Sequence, residues 1–247
     1  MECCRCACWI TPNSLGLVLL GGFQLRCADV LVPLPLGAQR LLAFVALHEA
    51  PLLRTYVGEA LWPDTHRRRA NANLRSAIWR IRQTGHNVLE AASGRLSLTP
   101  GVVVDLRQRA TLARRLLDRS MAWPSGVLGS EEAAALSADL LRDWYDEWLL
   151  LERDRWNQLR LHALEALAER LLRAGEYSQA VEAALAAVWA EPLRESAHRV
   201  LIRIYAAEGN LSEAVAQYRR YRQLLHRELS TPPTAQMEEL IRALTPN

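Results

Sequence analysis

Between Arg68 and Gln83, arginine, serine, asparagine and glutamine recur at spacings that bring them to one side of a helix, and together they have the chemistry of a groove reader. A guanidinium fork matches guanine O6 and N7 or a phosphate, while hydroxyl and amide groups offer either polarity to a base edge. At about 100° per residue, one arc carries Arg68, Arg75, Ser76, Trp79 and Gln83, with Arg69, Asn73 and Arg80 on one flank and Arg82 on the other. From Arg54 to Arg82 seven arginines face only Glu59 and Asp64. The same pattern also suits an ordinary solvated charged helix, so the surroundings must decide.

Such an arc needs a backing. Ala70, Leu74, Ile78 and Ile81 supply it, because their spacing predicts an apolar stripe on the opposite face of a helix over 70–82. Asp64 or Thr65 is placed to cap its start, Pro63 separates it from what precedes, and Gly85 suits a left-handed position after its last turn. Residues 87–91, the turn Ala92-Ser93-Gly94-Arg95 and Leu96-Ser97-Leu98 then read as a hairpin with Arg95 at its tip. A cation there can enter a minor groove or meet a phosphate, and by spacing alone it equally fits a plain surface arginine. Upstream, short strands over 17–32 surround Gly21-Gly22 and Ala28-Asp29. A helix over 39–50 follows, built on Leu41, Leu42, Val45 and Ala46, then a shorter one from a Thr55 cap to about Leu61. Sheet, helix, helix, basic helix and hairpin is the order of a DNA-binding winged helix.

The second half repeats itself. Gly175-Glu176-Tyr177-Ser178-Gln179-Ala180-Val181 returns 34 residues later as Gly209-Asn210-Leu211-Ser212-Glu213-Ala214-Val215, and Leu167 and Leu171 return as Leu201 and Tyr205. That is a tetratricopeptide period, two antiparallel helices per unit, with Ala180 and Ala214 small enough for close helix contact. Two readable repeats predict a compact helical domain, to which residues 131–172 add a further layer. Trp144 and Trp148, in Trp144-Tyr145-Asp146-Glu147-Trp148, suit a partner site or a core, and helical spacing favours the core.

Composition excludes several chemistries. With 50% hydrophobic and 23% charged residues in 247, the chain has the balance of a soluble protein of two domains. It contains no lysine, which removes a Walker-type phosphate lysine, a Schiff base and a Ser-x-x-Lys nucleophile pair. His48-Glu49 lacks the second histidine of a zinc-protease helix, Ser76 and Ser93 sit in no nucleophile elbow, and no enzyme is expected. The net charge is +3, yet residues 1–110 hold 13 arginines against 7 acids while the remainder holds 17 against 20. A basic half for a polyanion and an acidic half for a protein is one reading of that asymmetry. No run is long and apolar enough for a membrane span. Cys3, Cys4, Cys6 and Cys8 crowd a segment read as an unstructured tail over 1–14, without the second cluster a tetrahedral metal site requires; no metal or cofactor is expected.

These motifs resemble a known family. Leu61-Trp62-Pro63-Asp64 and the run Arg69 to Arg82 are similar to the SARP-type bacterial activators (Streptomyces antibiotic regulatory proteins), and Glu152-Arg153, residues 144–148 and 159–165, and Tyr218-Arg219-Arg220-Tyr221 resemble that family's bacterial transcriptional activator domain. The resemblance runs from about Leu17 to the end. It implies a mainly α fold with a small β part: an OmpR-type winged helix-turn-helix over 15–107, then an all-α tetratricopeptide-like domain over 108–247. It implies a cytoplasmic, sequence-specific transcriptional activator that binds promoter direct repeats as a homodimer and recruits RNA polymerase, commonly for secondary-metabolite genes. The connection from Trp62 to Arg68 resembles the loop that OmpR-type winged helices present to polymerase. The competing expectation is a tetratricopeptide adaptor whose winged helix is degenerate and serves protein contacts, with binding far less dependent on salt.

Overall fold

The computed structural model describes residues 15–28, 30–118, 120, 121, 123 and 128–245. The cysteine-rich tail expected over 1–14 lies outside them. The described residues fall into two compact units, those up to 108 together with 139–155, and those of 109–138 together with 156–245.

In the first unit, β1 (Leu15–Val18), β2 (Gln24–Cys27) and β3 (Val30–Val32) form an antiparallel meander, and β7 (Val103–Val104) pairs parallel to β1, giving the order β3-β2-β1-β7. Leu17 and Leu25 face each other across β1 and β2 and are fully buried, which is the alternation a half-covered sheet requires. Helices α1 (Leu36–Leu47), α2 (Arg54–Leu61) and α3 (Arg67–Gln83) pack together, with α3 against both others. The wing is a second sheet, ordered β4 (Leu52–Leu53), β6 (Arg95–Leu98), β5 (Leu89–Ala92). Its tip is the pair Ser93-Gly94, with φ of 51° and 74°. Positive φ at both central residues is the mirror-image turn whose twist matches an antiparallel ribbon.

Several boundaries differ from the sequence expectations. The first helix begins at Leu36, directly after Pro35, and ends before His48, whose ring bonds the Phe44 carbonyl at 2.7 Å. Strand β4 runs straight into α2, so Leu53 rather than Thr55 precedes that helix. Both β4 and β7 are two residues long, too short to show a period in sequence. The residues 139–155, which follow the winged helix in the chain and were expected with the helical domain, group with the first unit. Leu140 bridges Leu20, the Leu141 amide donates to the Leu19 carbonyl at 2.8 Å, and the Gly21 amide donates to the Asp139 carbonyl at 2.7 Å. Arg153 then donates to the carbonyls of Leu140, Leu141 and Trp144 at 2.7–3.1 Å. Trp144 stacks on Phe23, and Trp148 meets Phe44 edge-on at 5.2 Å, so both indoles pack into the unit while Tyr145 is exposed.

At the start of α4 (Asp105–Leu117), the Asp105 carboxylate accepts the amides of Leu19 and Leu20 at 2.9 and 3.0 Å and its neighbour Leu106 at 2.7 Å. A carboxylate at a helix N-terminus is favoured by the helix dipole, and this one also satisfies amides at the exit of β1.

The second unit contains the later part of α4, α5 (Ser130–Ser137), the part of α6 (Glu147–Ala174) from Trp156 onward, α7 (Tyr177–Ala190), α8 (Glu195–Glu208), α9 (Leu211–Leu229) and α10 (Ala235–Leu244). The repeat of 34 is visible in its hydrogen bonds. Gly175 and Gly209 are both left-handed, with φ of 77° and 93°. The next amide in each case reaches back five residues, Glu176 to Leu171 at 3.0 Å and Asn210 to Tyr205 at 2.8 Å. This is the Schellman closure that a glycine permits and a Cβ disfavours. Ala180 and Ala214 are fully buried, as close helix approach demands, and α10 closes the array over Ile202, Tyr218, Tyr221 and Leu225 through Met237.

Candidate nucleic-acid interface

Helix α3 forms because its apolar residues fall on one stripe that the winged helix covers. Ala70, Leu74, Ala77, Ile78 and Ile81 are buried, the stripe expected from the sequence with Ala77 added. Its N-cap is neither Asp64 nor Thr65. Thr65 turns its amide and hydroxyl onto the Trp62 carbonyl, closing the turn after α2, and the His66 ring accepts the Arg68 amide at 3.3 Å. Gly85 takes the left-handed position expected for it, with φ of 75°.

The stripe turns the remaining residues outward. Arg68, Arg69, Arg75, Ser76, Arg80 and Arg82 are exposed, Trp79 is 52% exposed, and Asn73 is half-buried at the flank. The helix carries six arginines and no carboxylate over its 17 residues. Glu59 of α2 approaches Arg67 at 3.7 Å, a pair so exposed that it holds the arginine only weakly. Arg67 also faces solvent and extends the basic surface by one residue beyond those singled out from sequence; the run Arg67-Arg68-Arg69 was its signal. Arg80 lies over the Trp79 ring, with Cζ 4.9 Å from the centroid.

Arg95 stands apart from this set. It opens β6 beside the wing tip and is exposed, but one of its terminal nitrogens donates to the Pro51 carbonyl at 3.0 Å. That bond directs its stem along the wing while other N–H groups stay available. Among the described residues, no group of three or more His, Cys, Asp or Glu side chains is arranged to hold a metal ion.

An exposed, acid-free, arginine-rich helix backed by a buried stripe and followed by a wing can neutralise phosphates and offer forks to base edges. The model of the bacterial transcriptional activator domain matches residues 105–245. The chain belongs to the bacterial transcriptional activator domain family. This is a family of transcriptional regulators, and the resemblance to SARP-type activators read from the sequence is borne out.

Over 192 residues the chain is 30% identical to the regulatory protein AfsR of Streptomyces griseus, an alignment that takes in 74% of this chain and 19% of AfsR. The fold is similar to that of Mycobacterium tuberculosis EmbR, solved in complex with a low affinity phosphopeptide, with a TM-score of 0.74 and 22% identity over 94% of this chain and 65% of that one. At that identity the likeness concerns the fold: small sheets at the amino-terminal side and an all-helical carboxy-terminal part, as the resemblance implied. The chain thus spans less than two thirds of either relative's length, and under a fifth of AfsR.

Proposed function

We propose that this member of the bacterial transcriptional activator domain family is a sequence-specific activator that docks α3 in the major groove of promoter DNA. In this reading residues 15–107 bind DNA and 108–247 serve as the activator domain. Arg68, Arg69, Arg75, Ser76, Trp79, Arg80 and Arg82 face the duplex, Asn73 touches it from the flank, and Arg95 meets a phosphate beside the groove. The observation that carries the reading is the acid-free cationic face of α3, set opposite its own buried stripe. A core helix would not need that face, and neither would an adaptor.

Two copies side by side on direct repeats would join two modest reads into one strong one, which is why a head-to-tail homodimer suits the family architecture. The resemblance to SARP-type activators supports action on RNA polymerase and targets among secondary-metabolite genes. Pro63 and Asp64, exposed in the link between α2 and α3, offer the surface for the polymerase. No helix among the described residues is long and apolar enough to cross a membrane. We place the protein in the cytoplasm, where its promoters are.

The test is gel-shift titration of the full chain on promoters neighbouring its own gene. Arg75→Ala and Arg80→Ala are each expected to weaken binding by about 1 to 3 kcal/mol and, where the arginine meets a phosphate, to lower the salt slope by about one. Circular dichroism should show both variants folded. Wild-type binding by both would remove α3 from the interface.

A further inference from the structure

The outward face of α3 contains one residue that phosphate binding does not explain. Trp79 is 52% exposed, while the other large apolar side chains of the helix, Leu74, Ile78 and Ile81, are all buried. An indole gains little from a phosphate. In the major groove, the apolar feature that a base pair presents is the C5-methyl of thymine, so a large apolar side chain amid polar readers has that one feature to meet.

Its neighbour makes the choice more specific. The guanidinium of Arg80 rests over the indole, 4.9 Å from the centroid, on a helix without a carboxylate to compete for it. A guanidinium held against a ring face keeps its N–H fork available in its own plane and has its orientation set before a ligand arrives. The fork then suits guanine O6 and N7. With the guanidinium held 4.9 Å from the indole centroid, the two side-chain ends lie close enough together to meet neighbouring bases, so they read one dinucleotide step.

We infer that Trp79 and Arg80 act as a single recognition unit for a thymine beside a guanine, Trp79 packing on the thymine methyl and orienting Arg80 for bidentate contact with the guanine. The inference rests on α3 docking in the major groove, as proposed above, and names the base step it selects there.

The experiment selects duplexes from a randomised pool with the full chain, then replaces each thymine of the selected site with deoxyuridine, which deletes the methyl and preserves pairing. At one position, next to a guanine, the substitution is expected to raise the wild-type Kd about fourfold, the worth of one methyl group taken out of water. Trp79→Ala should bind the thymine duplex at least that much more weakly and be indifferent to deoxyuridine, Trp79→Phe should keep the discrimination, and Arg80→Ala should lose the preference for the neighbouring guanine. A selected site without a thymine beside a guanine overturns the inference, as does a wild-type Kd unmoved by deoxyuridine at every position. The deoxyuridine series needs no variant, so a variant that fails to fold cannot hide the answer. If no duplex is enriched, sequence-specific DNA binding itself falls and the inference with it; an enriched site insensitive to the methyl removes the inference alone.

Discussion

His198 and Gln217 meet inside the helical repeat, the imidazole Nδ1 lying 2.8 Å from the amide Nε2, both side chains buried. Nε2 of the same ring lies 2.9 Å from the Pro192 carbonyl. Those partners suit the neutral tautomer, Nε2–H donating and Nδ1 accepting. Burial pushes the His198 pKa below its ordinary value, against the smaller opposing pulls of the Pro192 carbonyl and the Glu195 charge. As pH falls through about 6.5 the unfolded chain takes up the proton first, so the stability from this group is whole above that pH and drains below it. Thermal melts should show Tm dropping between pH 7.5 and 5.5. His198→Gln should flatten that dependence, and an equal drop in the variant would assign it to other groups.

Tyr221 stacks on the same ring at 4.2 Å, and burial with the nearby Glu195 charge raises its phenol to about 12. Its hydroxyl makes a long bond, 3.4 Å to the Leu193 carbonyl, and interacts with the Glu195 carboxylate. The buried ring therefore contributes more to the unit than the hydroxyl does. Tyr221→Phe should cost under about 1 kcal/mol and Tyr221→Ala about 3 to 4 kcal/mol by urea unfolding.

Two glycines should respond oppositely to alanine. Gly209 ends α8 at φ of 93°, where a Cβ is strained, and Gly209→Ala should destabilise by about 1 to 2 kcal/mol. Gly58 lies within α2, and a Cβ there would meet Asn71 Oδ1 at 3.6 Å and Leu74 Cδ2 at 3.9 Å, ordinary contact distances. Gly58→Ala should be neutral or stabilise by up to about 1 kcal/mol. Denaturation midpoints of the pair decide both.

Leu141 holds φ of 44° without being a glycine, and the guanidinium of Arg153 donates to its carbonyl at 2.7 Å while bonding those of Leu140 and Trp144. Arg153→Met keeps much of the stem and deletes the three bonds. It should cost about 2 kcal/mol, read as a lowered urea midpoint. A midpoint equal to wild type would show that the loop holds its shape without the arginine.

The parts of the fold that follow a local period could be read directly from the residues. The stripe Ala70, Leu74, Ile78, Ile81 specified both the helix and which side chains it exposes, and the recurrence of Gly175 as Gly209 specified the repeat. What depends on distant partners could not. The pairings of Leu52 with Leu96, Leu17 with Val104 and Leu20 with Leu140 leave no mark at either end of the chain segment involved. Capping failed for a nearer reason: Asp64, Thr65 and His66 can each offer an acceptor, and the turn onto Trp62 engages Thr65 before the helix begins. Exposure of the candidate interface was thus legible, whereas the tether from Arg95 to Pro51 required the third strand of the wing to be known.

The return of residues 139–155 to the winged helix bears on how the protein can be dissected. A fragment ending near 107 would strip the Leu19 carbonyl and the Gly21 amide of their partners and uncover the flank of Phe44, while one starting there would carry that orphaned segment. No single cut yields the first unit intact, so the failure of a truncated polypeptide on DNA would report a frayed sheet and would not test the proposed binding surface.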